Sequence, residues 1–95
     1  MPTPPIDYRF RLYVAGGAAR SRRAVEVISR LCAARLPGCV AIDVIDVHRE
    51  PQRALDDGIF GVPALVRVSP PPVRRLVGDL SDETRVSSVI LELSA

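Results

Sequence analysis

The sequence has no tryptophan, no lysine, one histidine, one methionine and only two cysteines. Two cysteines cannot staple a secreted miniprotein, so a disulfide scaffold is excluded and a reducing, cytoplasmic setting is expected. The scarcity of His and Cys leaves few groups for acid–base or nucleophilic work, and no ligand cluster for a metal. No apolar run approaches the roughly 20 residues that a membrane-spanning helix needs. The opening residues, Met1-Pro2-Thr3-Pro4-Pro5-Ile6-Asp7, show neither the basic nor the apolar region of a secretory signal, and none is expected. A net charge of +2 is too small to mark a nucleic-acid partner. What remains is an ordinary globular composition, 47% hydrophobic over 95 residues, which excludes disordered and fibrous classes. One small domain that binds rather than catalyses, without a cofactor, is the expectation.

Charge is unevenly spread. All 13 basic residues are arginine; residues 1–37 carry +5 and residues 38–95 carry −3. A basic first half could meet an acidic surface, or it is simply a solvated helix face.

Residues 1–8 read as a flexible, proline-rich lead, followed by a single domain over residues 9–95. Arg9 to Val14 alternates strictly, with Phe10, Leu12 and Val14 on one face, which predicts a half-buried strand. Ser21 is the predicted N-cap of a helix running to about Leu36, with an apolar face of Ala24, Val25, Val27, Ile28, Leu31, Cys32, Ala34 and Arg35. Cys39 to Val47 is nearly continuously apolar and β-branched, which predicts an interior strand covered on both faces and parallel to the first. Pro51 opens a short helix that Gly58 stops. Ala64–Val68 and Val73–Val77 predict two further strands, the second antiparallel, joined by Pro70-Pro71-Pro72. A last helix takes Ser81 as N-cap, with Val86, Val89, Ile90 and Leu93 at helical spacing. The order βαβαββα, with Val62-Pro63 just before the third strand, is that of the thioredoxin-like α/β fold. It implies a four-stranded mixed sheet with helices on both faces.

A redox thioredoxin keeps a low-pKa cysteine at the start of its first helix. Here that loop reads Gly16-Gly17-Ala18-Ala19-Arg20-Ser21, so dithiol chemistry is not expected. Cys32 and Cys39 read as small buried hydrophobes, and His48 as a loop residue without a nucleophilic partner. Gly78-Asp79-Leu80-Ser81, at a helix start, could hold a carboxylate such as that of glutathione. The four X–Pro bonds at Pro63, Pro70, Pro71 and Pro72 make either a stiff connection or a slow barrier between two arrangements.

Leu12-Tyr13-Val14-Ala15-Gly16, Val44-Ile45-Asp46-Val47, Glu50-Pro51-Gln52, Val62-Pro63-Ala64-Leu65 and the run from Pro70 to Ser81 resemble the KaiB family of bacterial circadian-clock proteins. The resemblance implies a non-enzymatic partner of the hexameric ATPase KaiC. It also implies competition with a SasA-like kinase, capture of KaiA, and switching between a ground state, often tetrameric, and a thioredoxin-like monomer. Carried over, His48, Pro51, Gln52, Ala54, Leu55, Gly58 and Ile59 would face KaiC, joined by Arg23, Arg67 and Arg74. Val40, Ala41 and Asp43 would face KaiA, with Asp43 standing where relatives often have a basic residue. Pro63, Pro70, Pro71, Pro72, Val89 and Leu91 would govern the switch. Relatives often carry Gly and Asp near positions 89 and 91. Val89 and Leu91 instead favour a helix there, so the thioredoxin-like monomer is the expected resting form, with a tetramer at most a minor state. A ligand-binding thioredoxin relative without a redox CxxC is the alternative, and a sensor-kinase module a third reading.

Overall fold

The computed structural model of the chain describes residues 7–36, 39–78, 80 and 82–91. Its elements are β1 (Asp7–Val14), α1 (Ala19–Arg35), β2 (Cys39–Asp46), α2 (Pro51–Asp56), β3 (Ala64–Ser69), β4 (Arg74–Val77) and α3 (Glu83–Leu91). The sheet order is β2-β1-β3-β4; β2 runs parallel to β1, while β3 and β4 are antiparallel to their neighbours. The thioredoxin-like α/β architecture expected from the sequence is therefore present.

Alternation decides which core each strand serves. Tyr8, Phe10, Leu12 and Val14 point from β1 into a core shared with Ala24, Val27, Ile28, Leu31 and Cys32 of α1 and Val86 and Ile90 of α3. Tyr13 points the other way, into a smaller core with Ile45, Ala54, Ile59, Ala64 and Val66. Thus α1 and α3 cover one face of the sheet and the six-residue α2 covers only part of the other.

Several local expectations are corrected. The first strand begins at Asp7, and Tyr8 is 3% exposed rather than part of a loose lead. Its entry is pinned where the Ser69 hydroxyl donates to the Asp7 carbonyl at 2.9 Å. Helix α1 starts at Ala19, one turn before the sequence signal. Ser21 does not cap it; the buried hydroxyl accepts the Ala15 N–H at 2.9 Å and fastens the preceding turn to the helix. Ala34 and Arg35 lie off the buried stripe and are exposed.

Strand β2 is an edge strand, not an interior one. Val40 and Ile42 are half-buried and Ile45 is buried, but Ala41 and Asp43 are exposed and Val44 is 46% exposed. The covered strands are β1 and β3, and β3 buries Ala64 through Arg67 without a break. A β-branched run reports strand propensity but not position in the sheet.

Pro51 occupies the first turn of α2, and Gly58 ends it in the left-handed region at φ +69. The bonds before Pro63, Pro70 and Pro72 are cis. At α3 the cap is Asp82, whose Oδ1 accepts the N–H groups of Thr84 at 3.1 Å and Arg85 at 3.3 Å. Ser81, the predicted cap, lies outside the described residues, as do Asp79, Leu93 and the side chain of Cys39.

Candidate protein-docking site

Consecutive parallel strands send their helices to opposite faces, α1 after β1 and α2 after β2. The crevice at such a switch point is where open α/β sheets place their binding loops. Asp46, the last residue of β2, joins the two loops: its Oδ1 accepts the His48 N–H at 2.9 Å and the Gly16 N–H at 3.3 Å. Glycine suits this turn because its φ is +53, in the left-handed region that side chains disfavour.

Next to this crevice α2 leaves an apolar groove of about 360 Å³ between its outer face and the loop that follows. Ala54 and Ile59 form its buried floor; Val47, Pro51, Leu55, Phe60, Gly61 and Val62 complete the lining. Leu55 is 56% exposed and Phe60 is 87% exposed. The Phe60 side chain thus stands in water beside an open apolar groove.

A polar cluster fixes this helix to the sheet. The Tyr13 hydroxyl donates to Asp57 Oδ2, and Arg11 donates to both carboxylate oxygens at 2.9 and 3.0 Å. Arg75 of β4 donates to the Asp57 carbonyl at 3.1 Å. Arg53 reaches Asp43 of the edge strand at 2.7 Å and Glu50 at 3.4 Å. The chain around residue 57 is thereby held from β1 and β4 together, and Phe60 follows three residues later.

These contacts shift titrations in predictable directions. Burial raises the Tyr13 phenol to about 12, helped by its bond to Asp57. Burial also acts to raise Asp57, but it is outweighed by the hydrogen bonds from Tyr13 and Arg11 and by the charges of Arg11 and Arg75. The carboxyl is held below its ordinary value. Two outcomes follow. Tyrosinate absorbance of the native protein should show one phenol ionising at about 12, and Tyr13→Phe should remove that step. Folding stability from Tyr13 is present below about pH 10 and lost as pH rises toward the folded value. For Asp57 the sign is opposite: its stabilisation is present above the unfolded value, about pH 4, and is lost as pH falls through the lower folded one. Asp57→Asn should cost about 1–2 kcal/mol at neutral pH, after discounting for the partly exposed Arg11. In urea unfolding as a function of pH, that variant should lose part of the acid-side slope.

The residues singled out from sequence separate into groups. His48, Pro51, Gln52, Leu55 and Gly58 are exposed along α2 and its flanks, above buried Ala54 and Ile59. Arg23 is exposed on α1, across the sheet from α2. Arg67 is 0% exposed and donates to the Pro72 carbonyl at 3.2 Å, inside the β3–β4 connection, with half-buried Arg74 opposite it in register. Pro63 is buried and Pro70 half-buried, while Pro71 and Pro72 are exposed. Ala41 and Asp43 are exposed on the free edge, and Val40 is half-buried beside them. Val89 and Leu91 are half-buried on α3 against the larger core.

Sequence reasoning misses Phe60 and the Arg11–Tyr13–Asp57 cluster. The available signal for Phe60 is its setting, one of two phenylalanines, lying between Gly58 and Gly61 outside any periodic stripe. At the loop where a thioredoxin holds its thiol, α1 begins from Ala18. Cys32 is buried, and burial lifts its thiol to about 11. Among the described residues, no three His, Cys, Asp or Glu side chains gather as metal ligands, and no helix is long and apolar enough to cross a membrane.

Comparison with known proteins gives the chain its relatives. Its fold is that of the N-terminal domain of Synechococcus elongatus SasA (TM-score 0.76, 22% identity, 100% of this chain and 91% of that one). It is also that of mitochondrial thioredoxin 3 from Saccharomyces cerevisiae (TM-score 0.74, 18% identity, 93% and 80%). The circadian clock oscillator protein KaiB of Synechococcus sp. (strain RCC307) is 43% identical over 84 residues, 88% of this chain and 76% of that protein. The protein of the same name from Acaryochloris marina is 44% identical over 79 residues, 83% of this chain and 76% of that protein. The family model for the KaiB domain matches residues 11–92. With most of the thioredoxin-like sheet and the whole α2 groove inside that matched span, the chain belongs to the KaiB family.

Proposed function

We propose that this protein is a non-enzymatic, cytoplasmic regulator of the clock-protein type that docks as a monomer on a KaiC-like hexameric ATPase ring. The observation that carries the reading is the apolar groove along α2, with Leu55 and Phe60 standing in water, in a member of the KaiB family. His48, Pro51, Gln52 and Gly58 border that groove, and Ala54 and Ile59 shape its floor. Arg23 and Arg74 supply peripheral charge; buried Arg67 contributes through the Pro72 carbonyl rather than by contact.

Regulation by occupancy fits the fold. The N-terminal domain of SasA has the same architecture, so a SasA-like protein would compete for one place on the ring. The free edge of β2 offers Ala41 and Asp43 to a KaiA-type partner, but Asp43 is engaged by Arg53. Such a partner must displace or share that exposed ion pair. Titration of a KaiC hexamer with this chain, with and without ATP, tests the reading. Saturable binding is expected, and no binding in any nucleotide state overturns it.

A further inference from the structure

Strand β4 ends the sheet on the side away from β2. It pairs antiparallel with β3, Leu76 opposite Leu65 and Arg74 opposite Arg67, and the Gly78 N–H donates to the Pro63 carbonyl at 3.0 Å. Residues that bond to the neighbouring strand alternate along such a ladder. Gly78, Leu76 and Arg74 therefore turn to β3, while Arg75 and Val77 turn their N–H and C=O groups to the open side. We propose that this edge docks an extended segment of another protein, apolar–acidic–apolar in sequence. The segment joins the four-stranded sheet as an added strand and sets its carboxylate on Arg75.

Edge strands are ordinarily guarded by charge, by proline or by a covering element. On β2 the guard is Asp43, exposed and bridged by Arg53 at 2.7 Å. Beside the open backbone groups of β4 stand Val73 and Val77, two of the five large hydrophobic side chains exposed among the described residues. Arg75 lies between them and is exposed. Its Nε donates to the Asp57 carbonyl at 3.1 Å, which holds the guanidinium over this face of the sheet. The Asp57 carboxylate is already taken by Arg11 and Tyr13, and among the described residues Arg75 forms no ion pair of its own. The Nη groups of an arginine held in this way suit a carboxylate, which they bind two bonds at a time.

Charge and length choose the occupant. A residue added opposite Arg75 projects from the same face of the sheet, so Asp or Glu there meets the guanidinium, and apolar residues suit the places opposite Val73 and Val77. A second copy of β4 is the poorer fit. The antiparallel register that sets Val73 against Val77 also sets Arg75 against Arg75, and like charges directly opposite repel. Pro72 before the strand and Gly78, at φ +114, after it restrict the pairing to about five residues. So short a ladder is weak on its own, with a Kd on the order of 1 mM, and gains affinity when the same partner also touches a second surface. Val73, Arg75 and Val77 take no part in lining the α2 groove, so the pairing does not rest on the proposed function.

Amide NMR of the isotope-labelled chain tests it, titrated to about 5 mM with the end-blocked peptide Ser-Thr-Val-Glu-Val-Thr-Ser and with its counterpart carrying Lys for Glu. The Glu peptide should shift the amides of Arg75 and Val77 saturably and leave β2 unmoved. The Lys peptide should bind at least about threefold more weakly. Arg75→Gln keeps an N–H donor for the Asp57 carbonyl but removes the charge, so it should bring the two peptides to equal affinity. The amide spectrum of that variant reports in the same experiment that the fold is kept. An absence of saturable shifts, shifts centred on β2 or the α2 groove instead of β4, equal binding of both peptides by the wild-type chain, or a preference that survives Arg75→Gln overturns the proposal. No ring is present in the measurement, so its failure and that of ring docking are told apart.

Discussion

Val89→Gly combined with Leu91→Asp is expected to lower the stability of α3 by roughly 2–3 kcal/mol, a shift of about 30- to 150-fold toward the undocked helix. The estimate follows from what holds that helix. Nine residues cannot sustain a helix alone in water. Docking depends on buried Val86 and Ile90, on Val89 and Leu91 packed at the margin and on the Asp82 cap; the exposed Arg30–Glu83 pair at 2.8 Å adds little. Glycine removes the Val89 side chain and adds backbone entropy. Aspartate at position 91 removes apolar contact and places a negative charge at the negative end of the helix dipole. Amide hydrogen exchange should show protection falling across residues 83–91 while β1 and α1 stay protected. If the double variant keeps wild-type protection there, these two side chains do not hold the helical form.

Phe60→Ser should weaken binding to the ring by about 30-fold or more, and Leu55→Ser by about tenfold. Truncating an exposed apolar side chain costs little in the free protein, so the melting temperature should move by no more than a degree or two. That combination separates docking residues from folding residues. Ile59→Ala, by contrast, should lower both stability and binding, because Ile59 is buried in the smaller core and also floors the groove. Isothermal titration of each variant against the ring, beside its thermal melt, gives the comparison. Equal losses for exposed and buried positions would mean that the groove is a by-product of folding.

Much of this architecture is written in local pattern. The alternation of Phe10, Leu12 and Val14 places β1, and the spacing of Ala24, Ile28, Leu31 and Cys32 places α1. Pro51 and Gly58 bracket α2 because each acts on its own backbone. What pattern cannot show is partnership between distant residues. Val40, Ile42 and Val44 look equally buried in sequence, yet β2 lies at the edge because β3 takes the other side of β1. Ser21 has the chemistry of a cap, but the turn at Ala15 claims its hydroxyl. Asp57 meets Arg11 and Tyr13 across more than forty residues, a pairing made only by the crossover. The α2 site itself came from likeness to a family, not from periodicity. Its groove and the exposed Phe60 become evident only when the chain folds.

If the α2 groove docks this protein on a KaiC-like ring, binding requires the exposed Phe60 side chain. Co-sedimentation or titration of the wild-type chain and Phe60→Ser with a KaiC hexamer, in ATP, ADP and no nucleotide, tests it most directly. Saturable binding of the wild-type chain in at least one nucleotide state, lost or at least about 30-fold weaker for Phe60→Ser, is the predicted result. Absence of binding in every state, or equal binding by the two proteins, would contradict it.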